Sequence, residues 1–324
     1  MIAQARRAGL LLAVGTILFV FSERMFWSFW RRGDEVAAYA GGLLLYTFLG
    51  YVLLAVCRHF QVRDLGALFL AGACFGWLDE GVVAMTLFGD PSMPFPLTVS
   101  WTGLAWHALI TVMLGFHALR RSLLADRVWP ALGLSLGLGI FWGVWGAGWA
   151  AETPPIGPAP LDFAAHAAVA TAALAIAELA LEPAGLATFH PSRAGLAIAA
   201  MVIVGFFGAV TVPAVPYAPL VLLPLAAVVL SALRRTRVPD GSADLLSVMG
   251  GKVRPRNLAG LMGIPVAATG TYMTLIATED VVPLHLIVAV ATTVAGFGFL
   301  FVTLYRVWRA DPTSRKSLAT AALR

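Results

Sequence analysis

The stretch LGALFLAGACFGWLDEGVVAMTL, Leu65 to Leu87, decides the fold class. Apart from Asp79 and Glu80 it carries no charge, and it exceeds the ~20 residues a helix needs to cross about 30 Å of hydrocarbon. A carboxylate inside such a span is costly, so it faces a cavity or a partner and marks a working position. Asp79 and Glu80, within Gly76-Trp77-Leu78-Asp79-Glu80-Gly81, are therefore the first candidates for chemistry.

Working outward, ten apolar runs of similar length follow one another, at 8–30, 35–57, 65–87, 97–118, 128–151, 161–182, 193–213, 217–233, 257–278 and 283–307. The expected fold is an all-α polytopic membrane protein of ten transmembrane helices. Composition agrees: 60% of the 324 residues are hydrophobic, 12% are charged, and mean hydropathy is +0.85. A soluble domain carries about 25% charged residues. A membrane β-barrel would show short alternating segments instead of long apolar runs. One transmembrane domain is expected over 1–324, with a polar, tryptophan-rich front half (1–182) and a plainer back half (193–308). A cytoplasmic loop, 234–257, contains Pro239-Asp240-Gly241-Ser242 and Gly250-Gly251 and reads as flexible or surface-lying. Arg6-Arg7 and the run after them imitate a signal peptide, but no small-x-small cleavage site follows, so a retained first span is expected.

The net charge of +5 is topogenic and carries no nucleic-acid signature. With the N-terminus inside, all of the 22 basic residues except Arg24, Arg31 and Arg32 fall in cytoplasmic loops or tails. Both termini are therefore expected inside. Arginine in excess of lysine, with abundant alanine and glycine, suits a GC-rich bacterium and hence a bacterial plasma membrane. Cys57 and Cys74 both fall on spans and form no CxxC.

Depth brings the polar groups together. At 1.5 Å per residue, Glu23 and Asp79 lie roughly 21–23 Å from the inner surface, and His107 stops roughly 13 Å in from the outer end of its span. Trp145 reaches the same layer. Trp142, Trp145, Trp149 and Glu152 share one helical face, while Gly139, Gly143 and Ala147 form another, suited to close packing. Gly72 and Gly76 lie on the same side of the helix as the acidic pair and admit a neighbouring helix. Asp162 and His166 form an i, i+4 pair at the mouth of the sixth span. Trp27, Trp77, Trp101 and Trp106 also fall in the outer half. A belt of interfacial anchors would populate both membrane surfaces.

Each residue also has a plainer reading. Glu23-Arg24 reads as an interfacial ion pair, Asp79 and Glu80 diverge by about 100° on an α-helix, and a lone His107 reads as a satisfied buried histidine. Glu178, in the inner half, is expected to bond locally between helices. His107, His166 and His285, with Asp162, invite a zinc reading, but they show no HExxH-type clustering, so no metal and no cofactor is expected.

Taken together, at least two carboxylates, a histidine, an arginine and a wall of indoles favour a membrane-embedded hydrolase. The leading expectation is a glycosidase acting on a glycolipid or lipid-linked sugar from the outer leaflet. Paired carboxylates are the usual equipment for that cleavage, and indole faces bury the apolar surface of sugars. Glu23, Asp79, Glu80 and His107 are the catalytic candidates. Arg24, Trp27, Trp77, Trp101, Trp106, Trp142, Trp145, Trp149, Glu152, Asp162 and His166 are the substrate-binding candidates. A proton- or cation-coupled small-solute transporter is the alternative, since ten helices with both ends inside resemble the layout of drug/metabolite transporters. A zinc-dependent membrane lipid hydrolase is the third possibility. The expected partners are membrane lipids and the substrate, with the pocket opening to the extracytoplasmic side.

Overall fold

The computed structural model describes residues 2–30, 35–90, 93–150, 156–237, 243–278 and 284–309. Among these residues there is no β-strand, and ten helices are long and apolar enough to cross a membrane. They are α1 (Gln4–Trp27), α2 (Val36–His59), α3 (Leu65–Val83), α4 (Thr98–Leu124), α5 (Trp129–Trp149), α6 (Pro160–Ala184), α7 (Arg193–Ala214), α8 (Ala218–Thr236), α9 (Pro255–Ile276) and α10 (Leu284–Arg309).

The ends follow local chemistry. Asp64 and Ser192 cap α3 and α7 by accepting from the backbone N–H groups of Ala67 (2.9 Å) and Gly195 (3.1 Å). Pro160 opens α6 at a position where no N–H is needed, and Gly185 closes it in the left-handed region. Several boundaries shift by a few residues from the sequence reading, α3 for instance ending at Val83 instead of at residue 87, and two shifts re-place functional or charged side chains. First, α1 stops at Trp27 because Ser28 adopts φ 63°, with its hydroxyl donating to Met25 O. Second, α4 runs on to Leu124, which puts Arg120 inside a helix instead of in a loop. In α9, Pro265 has no N–H for the Leu261 carbonyl, and a tighter bond from Ile264 N–H to Leu261 O (2.9 Å) takes its place.

The chain divides into two compact units interleaved along the sequence, so neither unit coincides with its front or back half. The first comprises Met1–Thr47, Leu114–Leu186 and Met249–Ala291, and the second Phe48–Met113, Ala187–Val248 and Thr292–Arg324.

In the first unit α9 lies along α5. The Gly139/Gly143 face expected from the sequence makes this approach possible: a Cβ at Gly143 would come within 2.5 Å of the Ala268 carbonyl oxygen. α1 packs along α6, and Phe163 of α6 stacks on Tyr272 of α9 with centroids 4.2 Å apart. Arg120 is wholly enclosed in this unit. Its guanidinium donates to Met249 O (2.9 Å), Glu178 O (2.8 Å), Glu178 Oε2 (2.9 Å) and Gly251 O (2.7 Å). Glu178 thus bonds between helices, as expected, and its partner is an arginine that the sequence reading left in a loop.

In the second unit α3 packs against the first part of α4 and against α8. Arg58 of α2 donates to Asp244 (2.5 and 2.6 Å), Ser247 and the Phe189 and Ala187 carbonyls. The segment after α8 is therefore not a free surface loop from residue 243 onward. Leu245 and Leu246 are buried, as are Met249 and Val253 where the segment continues in the first unit, and Leu245 N–H donates to Val62 O (2.9 Å). Apolar side chains and two arginine clamps override the Gly/Pro signal.

Candidate functional site

The tightest convergence of expected catalytic groups lies in the second unit. Along α3 the helix widens at Asp79–Val83, where the Ala84 N–H bonds five residues back to Asp79 O (2.8 Å). Widened turns of this kind concentrate at functional positions. In α4 the wide turns extend over Trp101–Ala118, the segment that carries His107. Further support comes from α7, whose Thr211 hydroxyl donates to Val82 O (2.7 Å), and from α8, whose Leu222 fills the space that Gly81 leaves open.

Two glycines bring α3 and α4 together. A Cβ on Gly72 would meet Ala108 Cα at 2.9 Å, and one on Gly76 would meet His107 Cβ at 2.8 Å and run into the Gly103 carbonyl. Trp77 covers Gly103 and donates its indole N–H to Val99 O (3.0 Å). With the backbones this close, His107 Nε2 stands 2.8 Å from Glu80 Oε1 and 3.5 Å from Asp79 Oδ2. The Thr86 hydroxyl donates to Glu80 Oε2, and Phe75 closes edge-on against the imidazole at 5.4 Å. Exposure is only 2% for His107, 5% for Asp79 and 9% for Glu80.

The two acids thus converge on one nitrogen, although on a regular α-helix they would diverge by about 100°. An imidazole between two carboxylates, shut away from water, can share a proton with them. Glu80, fixed at both oxygens, orients the ring, and Asp79 offers the same nitrogen a second partner. The two contacts keep Asp79 Oδ2 and Glu80 Oε1 closer together than the ~6.5 Å minimum of an inverting glycosidase pair.

Glu23 belongs to a separate cluster in the first unit. It too sits on a widened turn, Val20–Arg24, with Met25 N–H bonded to Val20 O. Its oxygens accept from Tyr46 Oη (2.7 Å) and Trp27 Nε1 (3.1 Å). Its bonds therefore go to neutral donors, where the plain reading expected an ion pair with Arg24. The Trp27 ring stacks on Trp149 with centroids 5.1 Å apart.

Trp142, Trp145 and Trp149 do share a face, and that face holds the end of α1. Trp145 and Trp149 donate to Phe26 O (2.7 and 3.0 Å), and Trp142 donates to Ser28 Oγ (3.1 Å). Their N–H groups are spent on α1. Trp77, Trp101, Trp106, Trp142 and Trp145 are all buried, leaving Trp27 and Trp149 half-buried. The expected wall of sugar-stacking rings is, for those five, packed interior. Asp162 is exposed in the first turn of α6, while His166 is buried with Nε2 3.0 Å from Arg24 O. Glu152 lies outside the described residues.

Among the described residues no group of three or more His, Cys, Asp or Glu side chains is arranged to hold a metal ion. Both cysteines are free thiols.

Sequence reasoning missed Thr86 and Tyr46. Thr86 follows Met85, whose left-handed φ of 61° turns the chain back after α3, and nothing in the residue order signals that reversal. Tyr46 is one of three tyrosines in the apolar run of α2, with Tyr39 and Tyr51, and nothing in the residue order singles it out as the partner of Glu23. No protein-family model, curated protein sequence or solved structure matches this chain.

Proposed function

We propose that this chain is a membrane-embedded hydrolase with Glu80, His107 and Asp79 as its acid/base centre. The carrying observation is the 2.8 Å approach of His107 Nε2 to a Glu80 carboxylate that Thr86 also holds. A base within hydrogen-bond reach of a fixed orienting group is the arrangement that general acid–base catalysis requires. In this reading one of Asp79 and Glu80 attacks the anomeric carbon as the other gives its proton to the departing oxygen, and His107 then takes the proton of the water that hydrolyses the glycosyl–enzyme ester and returns it to the acid. The substrate class is a glycolipid or lipid-linked sugar. The short separation of the two acids suits cleavage with retention of configuration.

The setting is the bacterial plasma membrane, with both termini cytoplasmic and the site reached from the outer side. The one-sided distribution of arginine supports this orientation. Exposed Ile198, Met201, Val204, Phe299 and Phe301 on α7 and α10 are suited to contact with acyl chains.

Proton-coupled transport of a small solute is the second reading. The enclosed Arg120–Glu178 pair favours it, because charge in the cytoplasmic half removes part of the one-sidedness expected of a blind enzymatic pocket. One experiment separates the two. Protein reconstituted in vesicles is given a glycolipid panel, with turnover and proton-dependent solute uptake both measured. Glu80→Gln and His107→Asn should each lower turnover ~10²–10⁴-fold while the protein stays folded. Wild-type turnover in both variants rejects the hydrolase. Uptake lost in both variants, with no turnover by wild type, installs the transporter.

A further inference from the structure

The acid/base centre leaves unexplained a second charged group, Arg24 in the first unit. Its guanidinium carbon lies 4.6 Å from the Tyr39 ring centroid and 5.1 Å from that of Phe19, so two aromatic rings hold the cation. Its backbone is fixed as well: the Arg24 carbonyl accepts from Ser28 N–H (3.0 Å) and lies 3.0 Å from His166 Nε2. Yet Nε and Nη1 are buried and have no hydrogen-bond acceptor among the described residues. The adjacent carboxylate does not serve them, since Glu23 accepts from Tyr46 and Trp27. A charged donor taken out of water without an acceptor is strongly unfavourable, so such a group implies a partner from outside the chain.

Three features define that partner. The guanidinium is cationic, planar and rich in donors, which matches an oxyanion such as a phosphate or carboxylate group. The aromatic rings on it suit a ligand with apolar surface beside its charge. Its place along α1 matters most. Counting from Arg7, the basic residue at the opposite end of the helix, Arg24 stands roughly 26 Å further on at the helical rise, close to the ~30 Å thickness of a hydrocarbon core. That puts it a few ångströms below the outer edge of the hydrocarbon core, beside the headgroup phosphates.

We propose that Arg24, flanked by Phe19 and Tyr39, is a binding site for a phosphate oxyanion at the outer membrane surface, carried by a lipid headgroup or by a soluble phosphate ester. The site belongs wholly to the first unit and does not depend on the hydrolase reading. Glu23, held to Tyr46 and Trp27, keeps its negative charge off the guanidinium. Trp27, stacked on Trp149, provides a fluorescent reporter one turn away.

The test uses full-length protein in detergent and in nanodiscs. Phosphatidylglycerol, glycerol phosphate and inorganic phosphate are titrated separately, with binding read by native mass spectrometry and by tryptophan fluorescence. Wild type should bind at least one of these probes, and Arg24→Gln should weaken that binding at least tenfold. Arg24→Lys, which keeps the charge but not the fork, should fall between them. If Arg24→Gln does not fold, Arg24→Lys against wild type carries the comparison. Saturation by phosphatidylglycerol alone assigns a lipid headgroup, and saturation by glycerol phosphate or phosphate assigns a soluble ester or ion. Equal binding by wild type and Arg24→Lys, or no binding of any probe by wild type, overturns the proposal.

Discussion

Arg120→Met tests the most deeply buried charge in the chain's described residues, since both partners of the Arg120–Glu178 pair are completely enclosed. The substitution removes four hydrogen bonds, one to the Glu178 carboxylate and three to the carbonyls of Glu178, Met249 and Gly251. It also leaves the Glu178 carboxylate without its cation. Breaking one side of a buried ion pair costs about 3–5 kcal/mol. Against a total stability of about 5–15 kcal/mol, that is a large share. Glu178→Leu should cost somewhat less, since three carbonyl acceptors remain for the guanidinium. The double variant Arg120→Met/Glu178→Leu should recover part of the loss, because no uncompensated charge is left, with a coupling energy of about 1–3 kcal/mol. Denaturant unfolding in one detergent, run on all four proteins of the cycle, measures it. Additivity within about 0.5 kcal/mol, or a single-variant loss below about 1 kcal/mol, would refute the reasoning.

Three further outcomes follow from the geometry. Gly143→Leu should destabilise by about 1–3 kcal/mol or more through overpacking against Ala268 and Thr271, whereas Gly133→Ala, with nothing within 4 Å, should stabilise by about 0.5–1 kcal/mol; thermal unfolding of both distinguishes contact from propensity. Gly103→Ala places a methyl 2.7 Å from Trp77 Cδ1, so it should push α3 from α4 and draw His107 off Glu80, with at least about a tenfold loss of turnover at unchanged helicity by circular dichroism. Tyr46→Phe removes the 2.7 Å bond to Glu23 and should cost about 1.5–3 kcal/mol in denaturant unfolding, as expected for a lost hydrogen bond to a charged acceptor.

Much of the site was legible in the order of residues. Asp79 and Glu80 announced themselves as acids in an apolar run, and Gly72 and Gly76 announced that another helix comes close. His107 fell near their depth by helical rise alone. The indole face of α5 was legible from its spacing, but its use was not: Phe26 O and Ser28 Oγ are exposed to those N–H groups only because Ser28 turns left-handed and ends α1. Arg120-Arg121 reads as loop charge, and the groups that compensate the burial of Arg120, namely Glu178 and the carbonyls of Met249 and Gly251, lie far along the chain.

What the sequence determined by itself was the number, length and class of the helices, because the hydrophobic cost of each span is a sum over neighbouring residues. It also singled out Asp79, Glu80 and Glu178 as acids whose burial requires an explanation, but not Arg120. Tertiary structure alone decided which of them meet. Convergence of Asp79 and Glu80 on His107 depends on a widened turn in α3 and on wide turns through α4, each supported by other helices through Thr211, Leu222 and Gly103. A helix register shifted by one backbone hydrogen bond redirects a side chain by roughly a quarter turn. That shift is set by distant neighbours, and so it is absent from any local pattern of residues.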